Sequence, residues 1–172
     1  MKFRKSLLAL GTLAGLAQPA WAHISLEQPH AMAGSTYKAV LRVPHGCNGE
    51  ATTAIRVRIP EGMFNVKPMP KPGWTLATVT GDYAKSYDAH GKAVTQGVTE
   101  IIWSGGELPD DWYDEFVFRG SIDAALPVDI RISFPLIQSC GELEEPWIDT
   151  SGATDAEMPA PSLTITAAEP GD

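Results

Sequence analysis

Period-two alternation constrains this chain more than any other feature. From residue 24 onward, apolar and polar side chains alternate in short runs rich in Val, Ile, Thr and aromatic residues. Such alternation puts successive side chains on opposite faces of an extended strand, so each run buries one face and wets the other. No stretch after residue 22 holds an amphipathic helical period. Strands are expected at 24–27, 35–43, 52–59, 74–80, 99–104, 114–120, 129–137 and 162–167. Turn chemistry separates them at Pro60-Glu61-Gly62, Lys71-Pro72-Gly73, Ser104-Gly105-Gly106 and Leu108-Pro109-Asp110. The polar stretch Gly81 to Gly97, with Tyr83, Tyr87 and His90, predicts a long surface excursion or hairpin. The expected class is all-β, a two-sheet β-sandwich of immunoglobulin or cupredoxin type.

The first 22 residues have a different character. A basic start at Lys2, Arg4 and Lys5 precedes an apolar stretch from Leu7 to Ala17 and the small-residue site Ala20-Trp21-Ala22. That order is a secretory signal, with cleavage expected after Ala22. The apolar stretch is shorter than the roughly 20 residues that span a bilayer. No later segment suits a membrane anchor, and no cysteine near the cleavage point suits a lipid anchor. The expectation is an exported, periplasmic protein. Cleavage would leave 150 of the 172 residues, enough for one domain over 23–168, with 150–161 loosely ordered and 169–172 as a tail. Within this scheme Leu163-Thr164-Ile165 docks as a closing edge strand.

Losing those three cations takes the formal charge from −8 to −11, which argues against nucleic acid and anionic membranes as partners. Cys47 and Cys140 are the only cysteines. In an oxidising compartment an isolated pair is expected to form a disulfide rather than two thiolate ligands.

Cleavage after Ala22 would make His23 the first residue. The α-amine and ring Nδ1 of an N-terminal histidine can close a chelate on one metal ion, so one residue supplies two nitrogens. Their reference pKa values, about 7.7–8.0 and 6.5, keep the proton cost of binding modest at neutral pH. Nitrogen donors in a tetragonal arrangement favour Cu(II). His45 is the next candidate, since it precedes Gly46-Cys47, where a cystine would stiffen its loop. Antiparallel pairing of the first two expected strands brings His23 and His45 to the same edge. His30 and His90 read as solvated side chains. Glu27 lies four residues along an extended strand, roughly 13 Å away and too far for shared coordination. Met32, Met63, Met69 and Met158 lack the spacing of a thioether cluster, and Asp110-Asp111 with Asp114-Glu115 read as solvated turns.

The order of several segments resembles the YcnI-like family of exported copper-binding domains. The carriers are Ala22-His23-Ile24-Ser25-Leu26-Glu27, Arg42-Val43-Pro44-His45-Gly46-Cys47, Thr52 through Gly62, Pro72-Gly73-Trp74-Thr75-Leu76, Ile102-Trp103-Ser104-Gly105-Gly106, Tyr113-Asp114-Glu115-Phe116 and the late Trp147. The resemblance implies a Cu(II) site in which His23 forms a single-histidine brace and Trp147 covers one face of the ion. It also implies a carboxylate after the early Val-Pro, but here Val43-Pro44 is followed by His45 and Gly46. Either His45 replaces that carboxylate or Glu50 reaches in from the same loop. His45 is preferred, being nearer the matching position.

The leading expectation is therefore a copper-binding protein of the cell envelope that stores or buffers the ion or delivers it to another exported copper protein, without catalysis. Two other readings are oxidative chemistry at the brace and a metal-free adhesion or interaction module.

Overall fold

The computed structural model describes residues 23–167, and within them every regular element is a strand. The expected signal segment and the 169–172 tail lie outside the described residues. Twelve strands run in order: β1 (Ser25–Leu26), β2 (His30–Met32), β3 (Thr36–Val43), β4 (Thr52–Arg58), β5 (Met63–Pro68), β6 (Thr75–Ala89), β7 (Lys92–Leu108), β8 (Asp114–Ile122), β9 (Arg131–Ser133), β10 (Leu136–Cys140), β11 (Leu143–Trp147) and β12 (Ser162–Thr166).

Two sheets form the sandwich, one ordered β1-β3-β8-β5 and the other β11-β10-β4-β7-β6. A third, three-stranded sheet of order β2-β12-β9 adds to the two expected from the sequence. Its strands are short, and β2 pairs with β12 in parallel. The run expected as one strand over 129–137 is instead split, because Phe134-Pro135 interrupts the ladder and sends β9 and β10 into different sheets. The segment 150–161 carries no strand, yet Asp149 N–H donates to Met158 O at 3.0 Å and Ala160 N–H donates to Asp149 O at 2.8 Å.

The alternation is realised as an inter-sheet core. Along β8 the inward positions Phe116, Phe118 and Ile122 are buried, and β3 contributes Ala39, Leu41 and Val43 on its inward face. The facing sheet contributes Ile55, Val57, Ile101, Trp103 and Leu136. Trp103 is fully buried, and its indole N–H donates to Met69 O at 3.1 Å, so burial leaves no polar atom unsatisfied there. Trp74 meets Phe116 edge-on at 4.9 Å, a ring position that depends on Gly106, where a Cβ would lie 2.1 Å from the indole.

The polar stretch expected as an excursion or hairpin is the far half of the β6–β7 hairpin. Its Tyr87 stacks on Phe64 at 4.7 Å, accepts from Gly62 N–H at 2.8 Å and donates to Glu61 Oε2 at 2.5 Å. Burial and the Glu61 carboxylate push the Tyr87 hydroxyl up to about 12. The hairpin thereby closes one side of the sandwich, where β5 and β6 are the sheet edges. β1 and β11 are the opposite edges.

Cys47 and Cys140 form the expected disulfide across 93 positions of sequence. Both are buried, and the bond ties the middle of the β3–β4 connection to the end of β10. Constraining so long a loop in the unfolded chain stabilises the fold by several kcal/mol in the chain-entropy view. Replacing both cysteines by serine is expected to lower unfolding free energy by about 2–5 kcal/mol. Urea denaturation of the oxidised protein against the double variant checks this; equal midpoints would show the bond to be thermodynamically idle.

Candidate functional site

The site expected around His23 falls at the β1/β11 edge. Antiparallel pairing sets Ser25 opposite Arg42 and Leu26 opposite Leu41. Continuing that register two places back sets His23 opposite Pro44, next to His45. The sequence-based placement of both histidines at one edge thus matches the observed pairing. From the other sheet, Trp147 meets the His23 ring edge-on, with centroids 5.8 Å apart and planes at 66°. Trp147 is only 3 % exposed, deeper than its polar surroundings in the sequence suggest. The reason is its position on β11, where Glu145 and Trp147 alternate with the exposed Glu144 and Pro146, and Trp147 pairs with Leu136.

A buried polar cluster fixes this arrangement. Trp147 Nε1–H donates to Gln138 Oε1 at 3.0 Å. The Gln138 amide then donates to His45 O at 2.8 Å and to Thr52 Oγ1 at 2.7 Å. Gln138 and Thr52 are both completely buried, and the Thr52 hydroxyl lies 3.7 Å from Cys140 Sγ. One amide therefore joins the tryptophan, the backbone of the histidine loop and the neighbourhood of the cystine. No periodicity in the sequence marks Gln138 as a hub, since it alternates with its neighbours like any inward position.

The loop after β3 is held equally firmly. Cys47 N–H donates to Glu50 O at 2.9 Å and Glu50 N–H returns a bond to Cys47 O at 2.9 Å. Asn48 and Gly49 between them have φ of 50° and 89°, the left-handed pair that an Asn-Gly turn supplies. Gly46 is required by close approach, because a Cβ there would sit 2.0 Å from Glu50 O and 3.1 Å from Asp110 Oδ1. His45 Nδ1 lies 2.5 Å from Gly46 O. A carbonyl only accepts, so Nδ1 carries the hydrogen and a neutral ring presents its lone pair at Nε2.

Glu50 differs from His45 in being exposed at the turn. Glu27 is engaged with Arg42 at 3.4 Å on the surface, and His30 and His90 lie elsewhere, on β2 and at the tip of the β6–β7 hairpin. Among the described residues, no group of three or more His, Cys, Asp or Glu side chains is gathered to hold a metal ion. The trio His23, His45 and Glu50 is therefore not assembled as a closed cluster of side chains.

Glu145 went unnoticed in the sequence. It shares the inward face of β11 with Trp147 and pairs with Gln138. Its Oε2 is buried without a hydrogen-bond partner. Burial pushes the carboxyl above its ordinary value, His45 pulls it back down and Asp110 adds to the rise. The only signal in the sequence was the spacing of two from Trp147.

A family model described as a domain of unknown function, DUF1775, matches residues 23–165. The chain belongs to this family. The match begins at His23, the residue singled out by the expected cleavage. Among solved structures, an uncharacterized protein from Nocardia farcinica with an immunoglobulin-like fold is similar at a TM-score of 0.63 and 23% identity, covering 84% of this chain and 99% of that one. The likeness identifies the sandwich as immunoglobulin-like. A type I cohesin from Pseudobacteroides cellulosolvens is more distant, at a TM-score of 0.42 and 8% identity over 87% of this chain and 95% of that one. No curated protein matches.

The Gln138 cluster generates a direct expectation. Gln138→Leu keeps much of the volume but strands the Trp147 N–H in the interior and removes a donor from His45 O. The expected loss is about 2–4 kcal/mol, from two or more polar groups left without partners. Chemical denaturation followed by tryptophan fluorescence measures it; a change below about 0.5 kcal/mol would place the cluster outside the cooperative core.

Proposed function

We propose that this protein is an exported, periplasmic copper-binding protein of the cell envelope, which holds Cu(II) at the mature N-terminal His23 for storage, buffering or delivery. The observation that carries the reading is the packing of the His23 ring against Trp147 at 5.8 Å, at the end of the sandwich where His45 also lies. The match of the family domain from His23 onward supports the same starting residue.

The role of each residue follows from its chemistry. The α-amine created by cleavage and the His23 imidazole form the brace, and the nitrogen donors favour Cu(II). Trp147, buried and anchored through Gln138, limits water on its side of His23. A third donor completes the set. Of the two residues weighed on the loop after β3, His45 is half-buried, whereas Glu50 is exposed on a turn whose backbone is committed to the Cys47 pair. The orphaned Glu145 Oε2 and the rigid loop fit a cation at this end of the fold. Nothing in this role requires turnover, and the natural partner is another exported protein able to accept copper.

The test uses two forms of the protein, one beginning at His23 and one with a single residue ahead of it. The extension turns the amine into an amide and is expected to weaken Cu(II) binding at least tenfold, or about 1.4 kcal/mol. Competition titration against a chelator of known affinity reads the difference. Equal affinity in both forms would eliminate the brace, and absence of binding in both would remove the copper reading altogether.

A further inference from the structure

We infer that Glu145 supplies the carboxylate of the His23 site, and that His45 is not a third nitrogen donor. The inference rests on the copper reading and adds to it a residue on the opposite sheet from the Val43-Pro44 segment. Three observations lead to it.

The first is an orphan. Buried polar atoms are almost always hydrogen-bonded, and an exception calls for a missing partner such as an ion. Glu145 Oε2 is such an exception, a buried carboxylate oxygen with no hydrogen-bond partner. The second is location. Glu145 and Trp147 share the inward face of β11, and Trp147 contacts the His23 ring, so the carboxylate is on the strand face that meets the brace. The third is the behaviour of His45. Its Nδ1–H is directed to Gly46 O, and its loop is fixed by the Gln138 amide and the Cys47–Glu50 bonds. The described side chains form no three-ligand cluster. A brace needs none, because one histidine contributes two nitrogens and one carboxylate suffices beside it.

A buried carboxylate oxygen retained without a hydrogen-bond partner destabilises the metal-free protein and is relieved when a cation arrives.

The experiment compares Glu145→Gln, Glu50→Gln and His45→Ala in protein beginning at His23, read by Cu(II) competition, electron paramagnetic resonance and thermal melting with and without copper. Glu145→Gln is expected to leave the metal-free melting temperature unchanged or higher, to shrink the copper-induced rise, to weaken binding at least tenfold and to shift the copper hyperfine splitting. Glu50→Gln is expected to match the parent. His45→Ala is expected to keep the parent's number of nitrogen couplings. If Glu145→Gln matches the parent while the N-terminal extension still abolishes binding, the inference fails and the brace stands. Loss of one nitrogen coupling in His45→Ala would make that histidine a donor and overturn the inference. Should Glu145→Gln melt well below the parent without metal, the carboxylate is a structural group and the inference falls.

Discussion

One buried amide organises the functional end of this molecule. Gln138 is completely buried, and its side chain links Trp147, the carbonyl of His45 and the Thr52 hydroxyl. In a low-dielectric interior such bonds are strong, and losing any of them leaves a polar group with no water to turn to. The amide therefore dictates the depth of the tryptophan and the path of the histidine loop together. Either could adjust alone at little cost on the surface. In the interior they are coupled.

That coupling explains how two strands that never pair come to share a site. β1 is an edge of the four-stranded sheet and β11 an edge of the five-stranded one. An exposed edge is a liability, and at the far side the Tyr87 and Phe64 stack closes the gap between sheets. At the near side the gap is closed by His23 against Trp147. The same packing problem is solved at one side by an aromatic clamp and at the other by a histidine ring against a buried tryptophan. The Cys47–Cys140 bond, fixed at the end of β10, keeps the loop bearing His45 from drifting away from β11.

Much of the sandwich was legible because its longer strands carry strong alternation. β3, β4, β8 and β12 fall within a residue or two of their expected bounds. β5 and β11 left weaker traces: the first follows a turn and ends in proline, the second reads Leu-Glu-Glu-Pro-Trp and looks solvated. Trp147 accordingly gave no sign of its burial. Glu145 was overlooked for the same reason, since a glutamate in an acidic stretch is ordinarily exposed. Its Oε2 is nevertheless buried, opposite Gln138 in the β10–β11 pair.

The sequence by itself determined the all-β class, the pairing of the only two cysteines and the antiparallel pairing that brings His23 and His45 to one edge. Each follows from local rules: period-two patterning, cysteine arithmetic and antiparallel pairing of the first two expected strands. Only the tertiary structure decided that Trp147 touches His23, that Gln138 joins it to the histidine loop and that Glu145 has an orphaned oxygen there. The physical reason is separation: Trp147 and His23 lie on different sheets and 124 positions apart, and contacts of that kind are set by how two sheets pack, which no local pattern encodes.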